Sequence, residues 1–424
     1  MLFGFLKDRR ASIAPMMALL AVPLIGGVGV AIDYTQANAT RTAFQNALDA
    51  TALAMSKTAA TQSAADLQTV ATGYFNALFT RPNVTNIIVN AIYTGTAGSK
   101  LAMSATGTLK TNALGVLGYD HIDIKAAATS TWGDTRLRVA LVLDNTGSMA
   151  SASKMTALKT ASQNLLTQLK NAALLPEDVY VSVVPFSKDV NVGAEQYDQS
   201  WINWSLWEAV NGSCSSSSYK SKSSCESHNK LWTPDAHSTW NGCVTDRDQN
   251  YDVTNAAPVS GGTLYPAEQY DSCPVALAPL SNDWTALSAK IEAMQPAGNT
   301  NQAIGLQMGW QSLTGAPFTV PAFDPYYQYN QVIILLTDGM NTEDRWYTNQ
   351  SSIDARQQKA CDNIKAAGIT LYTVQVNTGS DPTSTMLKSC ASGTSKYFLL
   401  TSGSQIITTF NQIGTALSQL RLAM

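Results

Sequence analysis

Three short polar segments carry the residue types that could do chemistry. "LDNTGSM" sets Asp144, Thr146 and Ser148 two residues apart, "PAGNTNQA" puts Thr300 in a Gly/Asn turn, and "VIILLTDG" ends in Thr337 and Asp338. Asp144, Thr146, Ser148, Thr300 and Asp338 together offer two carboxylates and three hydroxyls, with no His or Cys among them. An all-oxygen set suits a hard cation. Mg²⁺ prefers octahedral oxygen ligands, keeps several waters and takes one or two carboxylates. Mn²⁺ accepts the same ligands, and Ca²⁺ is a further oxygen-seeking candidate. A coordination sphere that the chain does not fill leaves a position for a carboxylate from a partner. The plainer reading of the first segment is helix capping, which Ser and Asp do well. Capping does not call for three loops of matching composition.

Positioning these loops falls to apolar strands. "LRVALVLD" runs into Asp144 and "QVIILLTD" into Asp338, both almost wholly apolar, as strands buried on two faces are. Between and after them the chain alternates. Residues 151–172, 282–295, 301–313, 352–367, 383–390 and 402–422 have helical spacing, and "VYVSVVPF", "ITLYTVQV" and "KYFLL" read as strands. Strand–helix alternation with continuous apolar strands predicts an α/β domain over 136–424, built on a doubly wound, mostly parallel sheet. In such sheets ligands bind outside the carboxyl ends of the strands, where all three polar loops fall.

Residues 188–280 interrupt the alternation. They are rich in Ser, Asn, Asp and Tyr and hold Trp201, Trp204, Trp207, Trp232 and Trp240. A strand-poor insertion needs staples, and a tryptophan mini-core is the expected one; exposed indoles would instead contact a partner. The insertion also holds Cys214, Cys225, Cys243 and Cys273, with Cys361 and Cys390 further on. Six cysteines clustered by segment predict disulfides in an oxidising compartment. Cys361 pairs with Cys390, the only two in their half. The other four allow three pairings, of which Cys243 with Cys273 is the one singled out. Zinc is the rival, since His228 and His237 lie nearby, but the short paired spacings of a zinc ribbon are missing.

The amino terminus opens with Lys7, Arg9 and Arg10, after which Ala11–Ile32 carries no charge. At 1.5 Å per residue that run spans about 33 Å, enough for a bilayer core. Basic residues before it place residues 1–33 as a cytoplasmic start and transmembrane helix, with the rest outside. A cleaved leader at Ala37–Asn38–Ala39 is the alternative, although the apolar core of a leader is normally shorter. No Gly or Pro falls in 30–72, and Phe44, Leu48 and Met55 share a helical face, so one long helix can leave the membrane. A helical stalk and a small antiparallel segment follow through residue 135, with a second helical pattern at 63–79 and strands "TNIIVNAIYT", "KLAMSATGTL" and "IDIKAAATSTW". Charged residues make up only 13% of the 424-residue chain and the net charge is −3, so no basic field points to nucleic acid.

"DNTGSM", "GNTN" and "LLTDGMNT", in that order, resemble the metal-ion-dependent adhesion site of von Willebrand factor A domains. Thr146 replaces the first Ser of the usual D-x-S-x-S and keeps the hydroxyl. The resemblance implies direct Mg²⁺ ligation by Thr146 and Ser148. It implies direct or water-mediated ligation by Asp144, Thr300 and Asp338. "RRASIAPMMALLAVPLIGGVGVAIDYTQANATRTAFQNALDATALA", "WNGCVTDRDQNYDV" with its later "YDSCP", and "GNTNQAIGLQMGW" resemble TadG-like proteins of the Flp (tight-adherence) pilus system. That likeness implies a single-pass bacterial inner-membrane protein whose large part faces the periplasm, with pilus-assembly or pilin proteins as partners. A prepilin-type cut after Gly4 is disfavoured, because the fifth residue beyond it is Arg9 rather than Glu.

Three functions compete. The first is a membrane-anchored adhesion module that binds a partner's acidic residue through the cation. The second is an exported adhesin released from the membrane; the two differ in whether the mature protein keeps Ala11–Ile32. The third is a metal-dependent hydrolase with Asp144 as nucleophile or metal ligand. Phosphatases of that kind need a second Asp where Thr146 stands, and no P-loop, G-x-S-x-G or nearby His is present. The expectation is a non-enzymatic protein with no catalytic residues.

Overall fold

The computed structural model describes residues 13–422, apart from positions 57, 96–98, 117, 133–134, 326 and 380–381. Gly4, Lys7, Arg9, Arg10 and the first two residues of the expected membrane span lie outside the described residues. The chain divides into two compact units between residues 134 and 135.

The first unit opens with α1 (Ile13–Met55). The helix is long and apolar enough to cross a membrane, and its early apolar side chains, among them Met16, Leu19, Val22 and Ile25, are exposed. From Asp33 onward one face of α1 is buried: Phe44, Leu48 and Met55, the residues that share the predicted face, are all 0% exposed. They pack on α2 (Ala64–Leu78) and on an antiparallel sheet of β1 (Val84–Thr94), β2 (Ser99–Lys110) and β3 (His121–Trp132). The Phe44 ring meets those of Phe75 and Phe79 edge-on at 4.9 Å. Asp33, the first charge after the apolar run, is buried and accepts backbone N–H groups of Asn112 (3.2 Å) and Leu114 (2.7 Å).

The single helix expected over 30–72 is broken at 56–63. Ser and Thr cluster there, and their hydroxyls compete with the helix for backbone partners. The Ser63 hydroxyl accepts the Asp66 N–H at 3.2 Å and starts α2 as its N-cap.

The second unit is the doubly wound sheet. Its strands are β4 (Thr135–Asp144), β5 (Val179–Phe186), β6 (Ala278–Ser281), β7 (Gln328–Thr337), β8 (Thr370–Val376) and β9 (Tyr397–Leu400). They lie in the order β6-β5-β4-β7-β8-β9, with Leu141 opposite Val183 on one side and Ile334 on the other. Two-residue strands of the insertion, Val190–Asn191 and Cys243–Val244, add antiparallel pairs beyond the end of β5. Among the six longer strands all pairs are parallel except β6 with β5, which is antiparallel. That edge strand falls where the sequence shows only insertion. Four residues containing Pro279 give no periodic signal, and Pro is tolerated at a sheet edge.

Helices cover both faces, because every residue of β4 is buried and its side chains alternate between two cores. Leu137, Val139, Leu141 and Leu143 face α3 (Lys154–Ala172), α4 (Trp284–Glu292) and the final helix Ser404–Leu422. Ala140 and Val142 face α5 (Gln302–Thr314) and α6 (Gln350–Ala366). A Cβ on Gly309 would stand 2.5 Å from a methyl of Val142, so α5 approaches the sheet as closely as it does only with glycine there.

The insertion between β5 and β6 is held by short strand pairs, indoles and disulfides. Trp207 and Trp240 are buried in the core on one face of the sheet, with Trp201 and Trp204 packed against it, and Trp232 is buried apart from that cluster. Each buried N–H has an acceptor: Trp207 Nε1 donates to Gln269 (2.9 Å), Trp232 Nε1 to Glu208 O (2.8 Å) and Trp240 Nε1 to Cys243 O (2.8 Å). Four of the five indoles thus join an insertion with little regular structure to the core on one face of the sheet. Disulfides join Cys214 to Cys225, Cys243 to Cys273 and Cys361 to Cys390, leaving no free thiol. His228 stacks on Tyr219 and His237 on Trp204, so the zinc alternative has neither thiolates nor convergent imidazoles.

Candidate metal centre

β4 ends at Asp144 beside the end of β7 at Thr337, because the parallel register pairs Leu143 with Leu336. The Thr337 hydroxyl donates to Asp144 Oδ2 at 2.6 Å. Asp144 Oδ1 accepts both the N–H (2.8 Å) and the hydroxyl (2.6 Å) of Thr146. The Thr146 and Ser148 hydroxyls are 3.0 Å apart, and Ser148 donates to Asp338 Oδ1 at 2.6 Å. Four of the five expected residues, with Thr337, therefore form one contiguous cluster: two hydrogen-bonded groups, Thr337–Asp144–Thr146 and Ser148–Asp338, that meet where the two hydroxyl oxygens touch. Asp144, Thr146 and Asp338 are buried at 0%, 1% and 3% exposure, whereas Ser148 is exposed, so the cluster opens to solvent at Ser148.

Thr300, also buried, is brought in through its backbone. Its loop is tied to the first by Gly147 N–H to Gly298 O (3.0 Å) and Ala297 N–H to Asn145 O (2.8 Å). Thr300 N–H donates to the Thr342 hydroxyl (2.8 Å) and Thr300 O accepts the Thr342 N–H (2.9 Å). Among the described residues no hydrogen bond joins the Thr300 side chain to Asp144, Thr146, Ser148 or Asp338. Gly298 has φ +83°, and a Cβ there would lie 2.5 Å from the Tyr270 hydroxyl, which accepts the Asn299 N–H at 3.0 Å.

The electrostatics call for positive charge. Burial, and then the negative charge of Asp338, push the Asp144 carboxyl up to about 6, against the lowering effect of its hydrogen bonds from Thr146 and Thr337. One positive group is built in: the Lys154 ammonium, itself buried, bonds Asp338 Oδ2. Two carboxylates against one ammonium leave one negative charge uncompensated. Both hydroxyls give their protons within the cluster yet keep lone pairs for a ligand. An all-oxygen donor set with residual negative charge fits a hard divalent cation.

Lys154 is the site residue that sequence reasoning passed over. A signal existed. Lys154 is the first residue of α3, whose first turn has no acidic residue, and the positive end of a helix disfavours cations. The insertion reaches the centre too. Asp246 Oδ2 accepts the Asn301 side-chain amide (2.7 Å) and the Arg345 N–H (3.2 Å), linking the second and third loops. Burial first, and the charge of Asp344 next, push Asp246 up to about 7.

A von Willebrand factor type A family model matches residues 267–412, which hold Thr300, Thr337 and Asp338. The match begins inside the insertion, at residue 267, while the sheet sets residues 135–186 into the same compact unit. Residues 11–62 match the Tad family, Flp pilus-assembly TadE/G-like. The chain thus carries a TadE/G-like amino-terminal segment and a von Willebrand factor type A domain. Solved structures to which the chain is similar include the pilus adhesin SpaC from Lactobacillus rhamnosus GG, at 14% identity and TM-score 0.37 over 81% of this chain and 36% of that one. The vWF domain of the type V pili tip protein Mfa5 from Porphyromonas gingivalis matches at 10% identity and TM-score 0.39, over 68% and 97%. The PilB minor pilin from Streptococcus sanguinis matches at 13% identity and TM-score 0.38, over 79% of each chain. The chain spans about a third of the length of SpaC. No curated protein matches it.

Proposed function

We propose that the chain is a pilus-system protein held in the bacterial inner membrane by α1, with its von Willebrand domain in the periplasm. That domain engages an acidic residue of a pilus-assembly or pilin protein through a bound divalent cation of the Mg²⁺ class, Mn²⁺ and Ca²⁺ being the alternatives. The observation that carries this reading is the oxygen cluster of Thr337, Asp144, Thr146, Ser148 and Asp338, buried throughout except at Ser148. Asp144, Thr146, Ser148 and Asp338 hold the cation, and Thr300 stands one loop away to join them directly or through water. When bound, the cation supplies an open position for a partner carboxylate. The three disulfides support an oxidising compartment, and the exposed apolar side chains of α1 support the anchor. Binding without turnover follows from a donor set that holds no group suited to be a general base near neutral pH other than the metal-binding carboxylates themselves.

Crosslinking and pulldown from membranes tests this reading, comparing wild type with Asp144→Ala, each in Mg²⁺ and in EDTA. Pilus-system proteins recovered with wild type in Mg²⁺, and lost with Asp144→Ala or EDTA, are the expected result. Identical recovery in all four arms would falsify the cation-mediated contact.

A further inference from the structure

Residues 151–154 are built in a way that a helix start alone does not need. Ala152 and Ser153 are both left-handed, at φ 52° and 56°, and neither is glycine. Such backbone is unfavourable for residues with a Cβ and persists only where the surroundings impose it. Here the turn is held by Ser151 N–H (3.3 Å) and Ser151 hydroxyl (3.1 Å) to Ser148 O, and by Lys154 N–H to Ser151 O (3.1 Å). Its effect is to turn the first residue of α3 inward. Lys154 is 5% exposed, against the helix dipole and at the cost of burying an ammonium. Three unfavourable features are accepted for one contact, the ion pair with Asp338 Oδ2. The other Asp338 oxygen is held by Ser148, itself one of the residues assigned to the cation.

We propose that Lys154 is a tethered counter-ion. Its ammonium neutralises Asp338 while the site is metal-free and gives up that place as a divalent cation binds. Cation affinity is then set by competition between an internal and an external positive charge. The inference rests on the cation reading above and adds a residue that opposes loading rather than one that ligates.

The test uses the full-length chain in detergent with its disulfides intact, Mg²⁺ titrated by calorimetry and melting followed in EDTA. Lys154→Met keeps an unbranched apolar stem and removes the charge. It should bind Mg²⁺ about tenfold more tightly, within the 5–150-fold span typical of coupled equilibria, and melt at a lower temperature in EDTA. Lys154→Arg keeps the charge and should bind Mg²⁺ no more tightly than wild type. In wild type, Mg²⁺ should also speed acylation of the Lys154 amine, read by peptide mass spectrometry. That measurement decides alone if Lys154→Met does not fold. Unchanged or weaker Mg²⁺ affinity in Lys154→Met overturns the proposal and leaves the cation site standing, as does acylation that Mg²⁺ does not speed. No Mg²⁺ binding in either protein overturns the cation reading and this proposal with it. Binding in Lys154→Met alone supports the counter-ion and overturns Mg²⁺ loading of the wild type.

Discussion

Replacing Asp144 by Asn should raise the melting temperature of the metal-free protein at pH 7.5 and remove its response to Mg²⁺. The Asp144 carboxyl rises from its ordinary 3.8 to about 6 in the folded chain, chiefly through burial. A folded value above the unfolded one means that folding favours the protonated form. The associated stability is fully present below 3.8 and is lost as pH rises through 6. At about 1.4 kcal/mol per pH unit, the loss above pH 7 is about 3 kcal/mol. Asn carries no charge and escapes it. Its oxygen can accept both hydrogen bonds from Thr146, while its amide faces the Thr337 hydroxyl. That hydroxyl must turn to accept, sending its proton toward Gly339 O, now 3.4 Å away. One reorganised hydrogen bond costs about 1 kcal/mol, which leaves a net gain of about 2 kcal/mol, or roughly 4–8 °C for a domain of this size. Thermal scans at pH 7.5 and at pH 4, with EDTA or Mg²⁺, read the effect. The gain should shrink toward pH 4, where wild type no longer carries the charge. A lower melting temperature for Asp144→Asn in EDTA at pH 7.5, or a surviving Mg²⁺ shift, would refute the reasoning.

Asp338→Asn should behave in the opposite sense. It strands the buried Lys154 ammonium, so urea denaturation in EDTA should show a loss of about 3 kcal/mol where Asp144→Asn shows a gain. Removing the Cys361–Cys390 disulfide by paired Ala substitution opens a link across 29 residues between two fully buried sulfurs. Denaturant midpoints should report a loss of about 3–4 kcal/mol, and an unchanged midpoint would show that the link does not restrain the unfolded chain.

The grouping of Asp144, Thr146, Ser148 and Asp338 was legible because residue type and order carry it: both loops follow apolar strands, and β4 and β7 are adjacent and parallel, whereas the Thr300 loop follows α4 and is tied in through its backbone. The doubly wound sheet was legible for the same reason, strand runs being apolar on both faces. Lys154 was not, because its inward turn depends on left-handed Ala152 and Ser153, residue types that do not announce that conformation. The antiparallel β6 was hidden by its brevity. The break in α1 at 56–63 was hidden because Ser and Thr are tolerated in helices and became a cap only once α2 had somewhere to pack. Asp246 joins two loops from far along the chain, through contacts that no local pattern encodes.

The strand order β5-β4-β7 also sets a timetable. β4 acquires its first neighbour soon after it is made, but its second waits until residues 187–327 have been synthesised. Throughout that interval the middle of the eventual sheet has an open, apolar edge, the kind that recruits wrong strands. Arg136 and Arg138 lie at the start of β4, and charges flanking a sticky strand act as gatekeepers in the unfinished chain. In the finished domain Arg138 is 1% exposed and stacks over Phe323 and Tyr329, part of the very segment that brings β7 into place. The strand that closes the edge thus arrives with the aromatic rings that cover Arg138.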